Sequence, residues 1–348
     1  VRESAIPAHL ATTRTRPARR EPGWSPPYPS YVARFAPAVT SVAIVCFGVQ
    51  HRTASEPADV RAALAELAEA SADPDGPGRL DRAAYVDEAG YRTVLGLGYW
   101  DDPGRYDRWF ARFRPRWLGE RRSGGDTGFF VEALRPSVSR FETLLSNDRR
   151  EGVACLADGL SGEIAEHGYW GGARDRLPVA QTDPLEPGAP PTLVRDGGLR
   201  VVRGQHNLCL IRSGQDWTDT DGDERRRYLD EVEPVLRAGM DFLRDEGQAV
   251  GCYANRYARL LGEDGEPVDK TFGMSWWRSL GHLDRWARDH PTHQAIFGQA
   301  MRYLSALGAG ARLRLHHEVV VAAAAEQRFE YLGCHPRTGL LRGVGSAR

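Results

Sequence analysis

Four of the ten histidines fall between residues 290 and 317, in two motifs whose spacing bears on metal or proton chemistry. In HPTH (290–293) a proline ends one helical run and starts another, because proline is tolerated in a first turn but not in a helix interior. His293 then lies in the first turn of the new helix. There it can present an imidazole to a metal centre, or serve only as a capping or surface residue. Zinc fits less well, since a catalytic zinc needs a third protein ligand and no H-E-x-x-H occurs. In LRLHHEVVV (313–321) the strand period puts His316 and His317 on opposite faces. His317 shares its face with Leu313, Leu315, Val319 and Val321, whereas His316 sits with Arg312, Arg314, Glu318 and Val320. The more apolar face predicts His317 as the buried imidazole pointing into the interior. A buried histidine without a task must still satisfy both ring nitrogens, so a core role stays open. Two further segments are polar: EHGYWGGARDRLP (166–178), with His167, Arg174 and Arg176, and IRSGQDW (211–217), which ends a strand with Ser213. Arginine and serine are residue types that hydrogen-bond a hydroxyl leaving group or an anion.

The elements that must position these residues recur. YWDDPGRYDRWF from Tyr99 and WWRSLGHLDRWA from Trp276 agree at Trp100/Trp277, Gly104/Gly281, Asp107/Asp284, Arg108/Arg285 and Trp109/Trp286. Each copy follows a β-type run and leads into helical spacing, which is the signature of a duplicated unit. The patterns predict strand 38–50, helix 57–70, strands 82–89 and 92–100, helix 104–113 and strand 128–134. The second half repeats the order with strand 199–212, helix 223–245, strands 249–260 and 270–277, a helical stretch 281–306 and strand 312–322. This β-α-β-β-α-β order, twice, predicts an α+β fold of tandem ferredoxin-like units. Each unit has one sheet face covered by helices and one left bare, so two units bury their bare faces together as an α+β barrel. Residues 1–35 read as an irregular N-terminal arm, 36–182 and 199–348 as the two halves, and the Pro/Gly-rich 183–198 as a surface linker.

Composition narrows the class. The 348 residues carry 46 basic and 47 acidic side chains, so no charge excess favours nucleic acid or an anionic membrane. The longest apolar run, Val42 to Val49, falls well short of the roughly 20 residues of a spanning helix. Arg14, Arg16, Arg19 and Arg20 lack the interleaved apolar face of a transit peptide, and a cytoplasmic enzyme is expected. The five cysteines are an odd set without a C-x-x-C pair, which excludes a zinc ribbon and a covalent c-type haem site.

In order along the chain, ESAI, FGVQ, DGPG, GYW, FFVEAL, FETL, SGEIAEHGYWG, RDRLP, QTD, IRSGQDW, YLDEV, GMDFLRD, AVGCYANR, DHPTH, LRLHHEV and CHPRTG resemble the bacterial aldoxime dehydratases, including the phenylacetaldoxime dehydratases. The resemblance covers essentially the whole chain. It implies a haem-dependent lyase that turns an aldoxime, R-CH=N-OH, into a nitrile and water, on a dimeric α+β barrel fold with haem b in the C-terminal half. It also implies that His293 is the proximal ligand, that ferrous haem takes the oxime nitrogen directly, and that His317 protonates the leaving hydroxyl. Ser213 and Arg176 match the polar groups around that hydroxyl, and Glu142 of FETL matches an acidic residue that affects activity in the family. A homodimer acting on a small aldoxime, with no nucleic-acid or membrane partner, is expected. An imidazole pKa near neutrality would let one histidine both give and take the proton. Two departures stand out: the segment between His293 and His317, with GAGA at 308–311, is longer than the family pattern, and His316 occupies a position where tyrosine is usual. A haem peroxidase or chlorite-decomposing enzyme of the same fold, and a non-catalytic haem sensor, are the rival readings. Because no C-x-x-C-H site exists, acidic organic solvent should extract one haem per chain from the purified protein. Haem that stays on the polypeptide, or zinc near one per chain without haem, would contradict the resemblance.

Overall fold

Strands in which every residue is buried need cover on both faces. AIVCFGVQH over Ala43–His51 and GFFVEAL over Gly128–Leu134 are buried throughout. The computed structural model describes residues 2–53, 55–122 and 126–344. Residues 1, 54, 123–125 and 345–348, which include the first residue of the expected arm and the last four of the expected C-terminal half, lie outside the described residues.

In chain order the elements are β1 (Ala33–Arg34), β2 (Ala43–His51), α1 (Ala58–Ser71), β3 (Arg79–Val86), β4 (Arg92–Trp100), α2 (Pro103–Trp117), β5 (Gly128–Leu134), β6 (Phe141–Leu145), β7 (Gly159–Leu160), α3 (Gly172–Arg176), β8 (Thr192–Asp196), β9 (Leu199–Arg203), β10 (Leu208–Asp216), α4 (Gly222–Arg227), α5 (Glu233–Asp245), β11 (Cys252–Leu261), β12 (Pro267–Trp277), α6 (Leu280–Asp289), α7 (Pro291–Leu307), β13 (Arg314–Ala322), β14 (Gln327–Leu332) and α8 (Leu341–Val344). Twelve strands form one antiparallel sheet in the order β6-β13-β10-β12-β11-β3-β4-β2-β5-β14-β9-β8. Each half contributes four strands in the same spatial order, and the halves join where Arg259–Leu261 of β11 pair with Arg82–Ala84 of β3.

A fifth strand of each half crosses to the other. β6, from the N-terminal half, pairs with β13, and β14, from the C-terminal half, pairs with β5. The core follows this exchange. Ile44, Leu97 and Phe130 meet Leu210, Phe272, Trp276 and Val320 in one apolar cluster between the halves. A second cluster lies under α1 and α2, and a third gathers α5, α6 and the segment around Leu177 against Cys209, Val319 and Val321.

Three expectations change. The predicted strand 199–212 is two strands, because the polar run Gly204–Asn207 turns the chain, with Asn207 at φ +58°. The stretch read as linker holds β8, which forms a hairpin with β9 across the two-residue loop Gly197-Gly198, a pair suited to the positive φ such loops need. The helix expected over 223–245 is interrupted by a π-turn at Tyr228–Val232.

The inter-half core also holds charge. Arg256 of β11 donates to both oxygens of Glu132 of β5 at 2.6 Å each, and Tyr331 and Trp276 donate to the same carboxylate at 2.7 and 3.3 Å. Nearby, Arg212 meets Asp81 at 2.8 Å, joining β10 to β3. Removing one member of a buried pair strands its partner in low dielectric. Glu132→Ala should therefore destabilise the protein by about 3–5 kcal/mol in denaturant unfolding, whereas Glu132→Leu with Arg256→Met should recover much of the loss. Equal costs for single and double variants would show that the pair is not the source.

Candidate active site

Both faces of the sheet are covered, so alternation buries both sets of side chains from Glu318 to the end of β13, while His316 and His317 are half-buried and Leu315 is exposed. Even-numbered Glu318, Val320 and Ala322 are buried, the last two in the core between the halves; odd-numbered Val319 and Val321 face the helices of the C-terminal half. His317 belongs to the helix-facing set. The expectation that its apolar face points into the barrel interior is thus reversed, because an apolar face does not identify the interior when helices cover the other side. His316 takes the inner face, over Gly214 directly opposite on β10, where a Cβ would come within 2.0 Å of the ring.

Register brings Ser213 of β10 opposite His317. On the other side, the crossed strand β6 sets Leu144 opposite His317 and Glu142 opposite Val319. Arg176, the last residue of the short α3, closes the group. Its Nε and Nη2 donate to the two Glu142 oxygens at 2.6 and 3.0 Å, Nη2 also lies 3.0 Å from His317 Nε2, and Nη1 donates to the Glu166 carbonyl at 2.7 Å. His317 Nε2 is 3.6 Å from Glu142. An arginine can only donate, so His317 Nε2 accepts and the neutral ring carries its proton on Nδ1.

Burial, with the neighbouring Arg176 charge, holds His317 down at about 3, so the value near neutrality expected from the sequence does not hold in this arrangement. His316 is likewise held at about 3, by burial and then by Arg212. For Glu142, burial pushes the carboxyl up while Arg176 opposes it.

His293 stands apart from this trio. It lies in the first turn of α7, after His290, whose Nδ1 accepts from the Thr292 amide and caps the helix. Trp286 and Trp170 approach the His293 ring edge-on at 4.7 and 5.8 Å. Burial lowers its pKa to about 4, with the Ala287 carbonyl pulling the other way, although no hydrogen bond of good geometry reaches the buried Nδ1. The result is a neutral imidazole beside the apolar layer that contains Trp286, Ala287 and Ile296 on the helix side and Ile211 and Val319 on the sheet side. Among the described residues no cluster of three or more His, Cys, Asp or Glu side chains could hold a metal ion. A macrocycle that brings its own four nitrogens needs only one protein ligand.

The model of the haem-containing dehydratases matches residues 45–340. The chain belongs to that family. It is 42% identical to an aliphatic aldoxime dehydratase of Pseudomonas chlororaphis over 98% of both chains, and 32% identical to a phenylacetaldoxime dehydratase of Bacillus sp. (strain OxB-1) over 90% of both. A crystal structure of an aldoxime dehydratase superposes with a TM-score of 0.94 at 41% identity, covering 99% of this chain and 100% of the other. A second, in complex with butyraldoxime, also gives 0.94 at 41% identity, covering 99% and 97%. The haem of this family fits the chain at His293, a half-buried neutral imidazole flanked by tryptophans. Reading single residues passed over Trp170 and Trp286; the repeat, where Trp286 answers Trp109, was the available signal. Glu142 carried no local signal, because its strand of five residues is defined only by pairing with the other half.

His316 and His317 bind protons near 6.5 when ordinary but near 3 in the fold. Between those values the unfolded chain holds more protons, so stability is full above about pH 6.5 and is lost as pH falls towards about 3. Denaturant midpoints should be level above neutrality and decline below it, and His316→Asn should make the decline shallower. A slope unchanged by that substitution would mean that His316 is not held neutral.

Proposed function

We infer that this chain is an aldoxime dehydratase that converts R-CH=N-OH to a nitrile and water, with haem b held without covalent attachment by His293. The observation that carries the reading is the meeting of Arg176, Glu142 and His317 beside Ser213, in a chain that superposes end to end on a protein solved with butyraldoxime. The higher identity to aliphatic than to phenylacetaldoxime dehydratases supports an aliphatic aldoxime as substrate.

Ferrous haem, when bound, supplies a Lewis acid and electron donor for the oxime N–O unit. The chain's own residues handle the leaving oxygen and the protons. Arg176 and Ser213 hydrogen-bond the hydroxyl and hold it beside His317. His317 is the proton carrier: Nε2 takes a proton as neutral imidazole, and the protonated ring delivers one to the departing oxygen. One proton leaves carbon and one joins the hydroxide, so the histidine ends the cycle as it began. An imidazolium beside Arg176 would face a like charge, and Glu142 offsets it.

The fold is read as tandem ferredoxin-like units forming a dimeric α+β barrel, divided into arm 1–35, halves 36–182 and 199–348, and a connection 183–198 that carries β8. The repeated strand order supports this reading. A homodimer belongs to it as well. A cytoplasmic location is consistent with cysteines that are all free.

With dithionite-reduced haem, no oxygen and no oxidant, butyraldoxime should yield nitrile. Turnover that needs peroxide would point to a peroxidase instead. His317→Ala should keep its haem yet lose roughly 10²-fold or more in nitrile formation, the usual contribution of a positioned proton donor, and His316→Ala should cost far less. Near-native activity in His317→Ala, or a larger loss in His316→Ala, would place the proton carrier elsewhere.

A further inference from the structure

Arg176 ends a helix of five residues, in a stretch from Ser161 to Pro191 that contains no strand of the main sheet. The chain that holds this stretch comes from far away in sequence. Asp175, 1% exposed, accepts from the backbone amide of Arg19 at 2.8 Å and of Arg20 at 2.9 Å, and from the Tyr169 hydroxyl at 2.9 Å. Arg14 donates to the Asp175 carbonyl. On the other side of Arg176, the carboxylate of Glu166 accepts from the Ala5 amide at 2.8 Å, while the Glu166 carbonyl receives Arg176 Nη1. Further along, Gln181 accepts from the Thr12 amide and donates to the Leu10 carbonyl, and its own carbonyl receives the amides of Thr15 and Arg16. A cavity of about 40 Å³ has Glu142, Arg176 and Pro178 on one wall and Ala5, Pro7 and Leu10 on the other.

We propose that residues 2–20 are a strap that sets the position of Arg176, and that Asp175, its buried clasp, is a positioning residue for the dehydration. This rests on the reading of Arg176 as the group that orients the leaving hydroxyl. The argument is geometric. Arg176 must satisfy Glu142 and His317 at once through a single guanidinium, which a displacement of about 1 Å would prevent. Glu142 and His317 lie on paired strands and are fixed by the sheet, whereas Arg176 lies outside it, held by its short helix, by the packing of the adjoining Leu177 and Ala180 in the core, and by the strap. The Asp175 carboxylate is engaged by the main-chain amides of Arg19 and Arg20 and by the Tyr169 hydroxyl, and among the described residues by no member of the trio. Its contribution to chemistry therefore runs through Arg176.

A cycle on the haem-loaded protein tests this. Asp175→Asn should lower kcat for nitrile formation by about tenfold, the scale of losing one charge-assisted hydrogen bond, with haem content and KM little changed. In the Arg176→Ala background the same substitution should change kcat by less than about twofold, since residues that act as a unit are non-additive. Limited proteolysis should cut the first 20 residues faster in Asp175→Asn than in the parent or in Arg176→Ala. If Asp175→Asn does not fold, Tyr169→Phe, which removes one hydroxyl from the clasp, should show the same pattern at smaller amplitude. Fully additive losses, or unchanged cleavage of the strap, would overturn the proposal. Undiminished nitrile formation by Arg176→Ala would instead overturn the role given to Arg176 itself.

Discussion

A sheet with helices on one side only leaves an apolar face that water will not tolerate, and each half of this twelve-stranded sheet has one. Each bare face is buried by the other, and the rest of the molecule follows from that pairing. Helix cover and sheet-on-sheet cover make both faces interior, so strands such as β2 and β5 are buried along their whole length. Charges that enter the seam must be neutralised there, as Glu132 with Arg256 and Asp81 with Arg212 are, each pair with one member from either half. The cluster of Arg176, Glu142 and His317 is on the other side of the same sheet, under the helices, where β6 delivers a carboxylate made in one half to a histidine made in the other.

Within that site the guanidinium of Arg176 sets the electrostatics. It faces a carboxylate and an imidazole together, and satisfying both fixes the tautomer of His317 and disfavours its protonation. The His317 ring is therefore held as an acceptor. On the opposite face His316 is held neutral in the same way, by burial and then by a different arginine, Arg212, with no hydrogen-bond partner for Nε2 among the described residues. Two adjacent histidines on one strand thus share a protonation state but not an environment.

Much of this was legible in the residues. The repeated W-x₃-G-x₂-DRW pattern announced two similar units, and strand and helix periods placed β4, β5, α1 and α7 to within a few residues. Pro291 marked the helix break, and His316 and His317 were separated correctly by period. What could not be read was set by partners distant in sequence. β6 and β14 are five and six residues long, too short for their patterns to stand out, and their registers are defined by the opposite half. Which face of β13 looks inward depended on helices covering the other. The lowered pKa of His317 depended on burial by the folded chain and on Arg176, 141 residues away.

The exchange of fifth strands also bears on how the chain is made. Residues 327–332 close the sheet of the half that is synthesised first, and residues 141–145 wait for a partner strand that begins at Arg314. Domains emerging from a ribosome ordinarily complete themselves in order, N-terminal first. Here the first half leaves the exit tunnel with both sheet edges open, at β3 and β5, and β6 unmatched, and the β5 edge and β6 are not resolved until almost the whole polypeptide has been translated. Such long-range closure favours slow, late consolidation, so the nascent first half is the form of this protein with most need of a chaperone.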